Sequence, residues 1–221
     1  MSAEPVSTVA NWRTKEWFPD LAPAAHSQLK TFFDELIKFN KVVNLVSSKS
    51  MLNADSIHFA DSVLAAQIVS KKVNKNSILF DIGSGNGFPG LVYSILFPDQ
   101  KLALVDSDER KCEFLKHVVK SIGATNVDVQ NKKIESFGDD SISQAVSRGF
   151  APLPRTLLAF RKIMKSGGQF FHMKGEEWGM EVSQIPIQLC SVWQPVLEGE
   201  YKLPAGDAKL FVIRTEKLVS T

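Results

Sequence analysis

Cysteine is scarce in this chain: Cys112 and Cys190 are the only two, and they form neither a CxxC spacing nor a cluster with histidine. That pattern excludes a disulfide framework and supplies no ligand set for zinc or another metal, and it fits a reducing cytoplasm. Long apolar runs are also missing, since Lys, Asp, Gly or Pro interrupts every one well short of the roughly 20 residues that a bilayer-spanning helix needs. The N-terminal segment is acidic, contains proline and lacks the pattern of a signal peptide, so nothing in it directs export and a cytoplasmic location is expected. Internal repeats and low-complexity segments are absent as well.

Nor is there a large excess of charge. A net charge of +2 does not by itself imply a nucleic-acid partner. The charge is unevenly spread, however: twelve Lys or Arg against five Asp or Glu lie between Arg110 and Lys174. This asymmetry suits a polyanionic partner and equally suits a solvated helix face.

What remains has the composition of a soluble globular protein, 44% hydrophobic and 23% charged. At 221 residues the chain accommodates one α/β domain and a helical appendage. Residues 1–25, with Pro5, Pro19 and Pro23 and the aromatics Trp12, Trp17 and Phe18, read as an irregular arm whose aromatics dock on the body. Residues 26–76 read as a helical N-terminal subdomain. Ser27 is its expected first cap, and Leu29, Phe32, Phe33, Leu36 and Ile37 recur at helical spacing. A second helix is expected over 57–69, where His58 and Asp61 fall three apart on one face as a local pair or cap.

From 77 to 221 short β-rich runs alternate with helical ones. Strands are expected at 78–82, 102–105, 127–129, 145–147 and 169–173. Helices are expected from Pro89, over 109–122, and over 155–164 with a stop at Gly167-Gly168. Such alternation implies a parallel sheet covered on both faces. Residues 192–203 and 210–214, joined through Pro204-Ala205-Gly206-Asp207, read instead as an antiparallel pair at its edge.

The first of these strands runs into Gly83-Ser84-Gly85-Asn86-Gly87-Phe88-Pro89-Gly90. Glycines at this density let the backbone turn sharply and approach a ligand at the carboxyl end of the strand. The segment also satisfies G-x-G-x-x-G, so a dinucleotide must be weighed. Asp106, closing the second strand, suits a ribose in either case. Asp81, two residues before the first glycine, disfavours a nearby pyrophosphate and suits the cationic amino and sulfonium end of S-adenosylmethionine. The devices that usually accompany methylation of a base carbon or an exocyclic amine, a nucleophilic Cys or an Asn/Asp-Pro-Pro-aromatic run after the fourth strand, are absent at Ser147-Arg148-Gly149-Phe150-Ala151. An acceptor with a free lone pair, such as guanine N7, needs neither. Arg148 and Lys174 stand at strand ends as candidate catalytic groups, each with a plain surface salt bridge as its alternative. Arg110 and Lys111 start a helix where they could face phosphates.

Taken in order, Asn44-Leu45, His58-x-x-Asp61-Ser62, Asp81-x-Gly-x-Gly-x-Gly-x-Pro-Gly, Asp106-Ser107, Phe114-Leu115, Ser147-Arg148-x-Phe150-Ala151 and Lys174-Gly175 resemble the RsmG family, also called GidB, over roughly residues 29–215. The resemblance implies a Rossmann-like class I methyltransferase fold, with a mostly parallel seven-stranded sheet, an antiparallel edge and an N-terminal helical extension. It implies S-adenosylmethionine as donor, S-adenosylhomocysteine as product, and a guanine N7 in 16S rRNA or the small ribosomal subunit as acceptor, with no membrane and no metal. It also implies cofactor contacts from Gly83, Phe88 and Arg148, with Ile134 and Glu135 near adenine and Asp106 on the ribose; Asp81, Gly85, Gly87 and Ser107, from the glycine loop and the two strand ends, complete the expected cofactor site. RNA contacts are expected among Asn44, His58, Arg110, Lys111, Lys133 and Lys174. Gly149 stands where the family usually has Ala, and Lys133 where Arg is common. A small-molecule methyltransferase and a non-enzymatic module binding S-adenosylmethionine or RNA are the competing readings.

Overall fold

In a computed structural model, which describes residues 10–218, Trp12 does dock. Its ring lies 4.6 Å from that of Phe33 and 5.0 Å from that of Phe59. The next residue, Arg13, clamps the buried Asp55 carboxylate through its backbone N–H and its guanidinium. The arm is not wholly irregular, because Thr14–Trp17 form a short helix, α1. Pro5 lies outside the described residues.

Helix α2 spans Pro23–Asn40. It begins four residues before the expected cap at Ser27, because Pro23 occupies the first turn, where its fixed φ is already helical and its missing N–H costs nothing. The expected apolar stripe is otherwise in place: Ala25, Leu29, Phe32, Phe33 and Leu36 are buried. They pack against Phe88, Leu91, Phe114 and Leu115 of the body in one continuous cluster. After α3 (Ser48–Met51), the helix expected over 57–69 is two-part, a π-helical segment Asp55–Ala60 followed by α4 (Asp61–Val69). Such π segments frequently mark functional sites, and this one carries His58.

The α/β body then follows as β1 (Leu79–Ile82), α5 (Gly90–Leu96), β2 (Leu102–Asp106), α6 (Glu109–Ser121), β3 (Val127–Asn131), β4 (Ile142–Arg148), α7 (Leu153–Phe160), β5 (Met164–Lys174), α8 (Trp178–Ser183), α9 (Ile187–Cys190), β6 (Trp193–Lys202) and β7 (Lys209–Lys217). Helix α6 is capped by Asp108, whose carboxylate accepts from the backbone N–H groups of Arg110 and Lys111. Helix α7 ends at Phe160, short of the expected Met164. The Gly167-Gly168 pair does not stop it but lies inside β5, where Gly167, at φ +73, allows an irregularity in the pairing with β4.

The seven strands lie in the order β3-β2-β1-β4-β5-β7-β6, parallel as far as β5, with β7 antiparallel to both of its neighbours. The chain moves outward from β1 through β2 to β3, then returns to lay β4 on the other side of β1. That reversal opens a crevice at the carboxyl ends of β1 and β4, the place where open α/β sheets bind ligands.

Candidate active site

The loop after β1 is built to pass close to a ligand. Gly83 and Gly85 adopt φ of +69° and +54°, a region that side-chain-bearing residues avoid. The Gly85 N–H donates to Asp106 Oδ2 at 2.8 Å, and the Asp108 N–H donates to Oδ1 at 2.9 Å, so Asp106 ties the glycine loop to the end of β2. Gly90 has a packing role: a Cβ there would fall 2.4 Å from Leu104 and 2.5 Å from the Asp81 carboxylate, so only glycine lets α5 sit this close to β1 and β2.

At this crevice lies an open cavity of about 580 Å³. It brings together six of the residues expected to hold the cofactor, namely Gly83, Gly85, Asp106, Ser107, Ile134 and Glu135. It also gathers Lys111 and Lys133, expected to face RNA, and four residues that sequence reasoning did not assign to it: Val105, Lys132, Gly149 and Phe150. For Gly149 and Phe150 the available signal was their position directly after β4. Lys132 adjoins Lys133 but carried no signal of its own.

Asp81, Gly87 and Phe88 do not line this cavity. Asp81 is fully buried behind the loop, where Oδ2 accepts from the Gly90 N–H at 3.0 Å and Oδ1 has no partner among the described residues. Burial pushes its carboxyl up to about 7, against the lowering effect of the Gly90 hydrogen bond. Gly87 faces Leu91 and Phe32, and Phe88 stacks on Phe32 at 4.9 Å in the core.

A second cavity, of about 510 Å³, shares Gly149 with the first and contains Arg148, His58 and Lys174. Arg148 Nη1 donates to Asp61 Oδ2 at 3.0 Å and to the Ile57 carbonyl at 3.2 Å, with its guanidinium 5.0 Å over the Phe88 ring. Asp61 Oδ1 accepts from the Tyr201 hydroxyl at 2.6 Å. Asp61 is therefore not the local partner of His58 that the three-residue spacing suggested. The sheet turns it toward a residue 87 positions away, and burial raises its carboxyl pKa against the pull of Arg148. His58 stacks on Phe88, its ring nitrogens have no partner among the described residues, and burial with the nearby Arg148 lowers its pKa to about 3. Lys174 Nζ donates to Glu181 Oε2 at 2.7 Å and to the Ala151 carbonyl at 2.9 Å, pinning α8 to the end of β5. Tyr201, on β6, was not singled out from sequence, because nothing local connects it to Asp61. Asn44 is exposed and lines neither cavity. Arg110, also exposed, pairs with Asp108 at 3.5 Å.

S-adenosylmethionine fits the first cavity on three counts. The volume falls within the roughly 300–1,000 Å³ typical of small-molecule sites. The glycine backbone leaves close access. Each Asp106 oxygen, though used once, keeps a lone pair for a ribose hydroxyl. Sheet order, antiparallel edge and glycine crevice together define a Rossmann-like methyltransferase fold of class I.

The model of the GidB family, rRNA small subunit methyltransferase G, matches residues 25–194, and the chain belongs to that family. It is 46% identical over 215 residues to "Ribosomal RNA small subunit methyltransferase G 3" of Bdellovibrio bacteriovorus, covering 97% of each chain. It is 32% identical to "Ribosomal RNA small subunit methyltransferase G" of Paracoccus denitrificans, over 71% of this chain and 80% of that one. Among solved structures, a SAM-dependent methyltransferase from Aquifex aeolicus superposes with a TM-score of 0.55, covering 83% of this chain and 98% of that one. At 13% identity that likeness concerns the fold alone.

Proposed function

We propose that this protein transfers the methyl group of S-adenosylmethionine to N7 of a guanine in small-subunit (16S) rRNA, releasing S-adenosylhomocysteine, and that it does so in the cytoplasm, where ribosomes are assembled. The observation that carries this reading is the glycine-walled cavity at the carboxyl ends of β1, β2 and β4, in a chain whose family match spans it. The cofactor, when bound, supplies an electrophilic methyl. Gly83 and Gly85 admit it, Asp106 holds its ribose, and Ile134 and Glu135 lie beside its adenine. Lys111, Lys132 and Lys133, on the rim, attract the phosphate backbone and set the approach of the RNA. Neither cavity is lined by a cysteine, which agrees with an acceptor that needs no covalent activation. Guanine N7 already carries its lone pair, so the protein positions the base and excludes water but removes no proton.

Tritium from labelled cofactor should pass to deproteinised RNA, and that RNA should become cleavable at a single guanine after borohydride and aniline treatment. Label on ribose or on an exocyclic amine refutes the N7 assignment. Calorimetry should detect S-adenosylmethionine and S-adenosylhomocysteine but not NAD.

A further inference from the structure

The second cavity adjoins the first at Gly149, whose φ of +64 turns the chain between them and whose missing side chain leaves the passage open, since a Cβ there would meet nothing within 4 Å. Gly149 therefore stands between the two cavities with no side chain to part their occupants. Its walls are apolar at Ile57, Met173, Leu203 and Leu210, and polar at His58, Asp61, Arg148, Lys174 and Tyr201.

We propose that this cavity receives the acceptor guanine base, withdrawn from its stack in the RNA, and that Tyr201 is a positioning residue that fixes Arg148 in its wall through Asp61. This rests on the activity proposed above. A base taken out of its stack loses apolar contact with its neighbours, and side-chain walls must replace it. Guanine presents O6 and N7 side by side as acceptors. N7 must keep its lone pair for the methyl group, so a donor on that edge serves O6. Both recorded hydrogen bonds of Arg148 leave through Nη1, so its remaining N–H groups are available for that edge. Asp61, with only 7% of its side chain exposed, holds Arg148 from one oxygen and Tyr201 from the other. Its negative charge offsets the Arg148 guanidinium, which unpaired would oppose the positive charge that develops on the base. His58, kept neutral by burial and Arg148, adds no opposing positive charge.

Ala208 lines the cavity from an exposed loop, so enlarging it fills the space with little effect on the core. The test compares Ala208→Trp, Tyr201→Phe and, as a control, Ile187→Trp, at an exposed site on α9 that lines neither cavity, for tritium transfer to small subunits lacking the modification, with calorimetry of S-adenosylhomocysteine in parallel. Ala208→Trp should lower kcat/KM for the RNA by roughly tenfold or more, the scale of a lost base-stacking site. Ile187→Trp should stay within about twofold of wild type, and cofactor affinity should change little in either tryptophan variant. Tyr201→Phe should lower kcat and leave cofactor affinity unchanged. Normal transfer by Ala208→Trp removes the base from this cavity, and normal kcat for Tyr201→Phe removes the positioning role. Wild-type protein that labels no rRNA overturns the proposed activity and this inference with it. Wild-type transfer together with indifferent variants overturns this inference alone.

Discussion

Replacing Asp81 by Asn should stabilise the protein above pH 7 and not below pH 4. Asp81 is fully buried with one oxygen unpartnered among the described residues, and burial raises its carboxyl from 3.8 to about 7. A carboxyl that is harder to ionise in the folded state than in the unfolded one contributes stability that is fully present below the unfolded value. That stability is lost as pH rises through the folded value. Between those two values the wild type should lose on the order of 4 kcal/mol relative to a variant that cannot ionise, at about 1.4 kcal/mol per unit. Asn keeps an oxygen for the Gly90 N–H but turns an amide toward the unpartnered side, which costs about 1–3 kcal/mol. The net gain at pH 8 is therefore about 1–3 kcal/mol, or several degrees in Tm for a chain of this size. Urea unfolding of both proteins from pH 4 to pH 8.5 measures the difference directly. A pH-independent difference, or a variant less stable at pH 8, would show that Asp81 is ionised in its buried site without penalty and would refute the reasoning.

Gly90→Ala places a Cβ against Leu104 and Asp81 at 2.4 and 2.5 Å and should destabilise by about 1–3 kcal/mol, read from the urea midpoint; an unchanged midpoint means α5 can shift freely. Gly85→Val should weaken S-adenosylhomocysteine binding by roughly tenfold or more in calorimetry, because the residue stands at φ +54 and its open side faces the cavity; unchanged affinity in a folded variant would misplace the loop. Lys174→Ala should leave Glu181 held only by the Leu153 N–H and loosen α8, visible as faster amide exchange over 178–183, at a cost of about 1–3 kcal/mol given its partial exposure; unaltered exchange would show the pair to be idle. Arg148→Ala should reduce methyl transfer and also lower stability by up to about 3–5 kcal/mol, since it strands the buried Asp61; loss of activity with a wild-type melting curve would contradict the observed pairing.

Local sequence determined the elements whose causes are local. Apolar spacing in α2, the β-rich run before the glycine loop, the Asp108 cap of α6 and the strand-helix alternation all act through neighbours within a few residues, so the fold class and the glycine loop between β1 and α5 were legible. Boundaries failed where one residue outweighed the pattern, as when Pro23 opened α2 ahead of Ser27 and Gly167 bent β5 instead of ending α7. Tertiary structure alone decided the partners. Asp61 looked like a mate for His58 three residues away, yet sheet order carries Arg148 and Tyr201 to it from 87 and 140 positions along the chain. It likewise set Asp81 and Phe88 behind the glycine loop rather than in the cavity, and put Gly149 between two cavities. Those arrangements depend on which strands adjoin at the reversal beside β1, a relation between segments far apart in sequence that no local periodicity or spacing encodes.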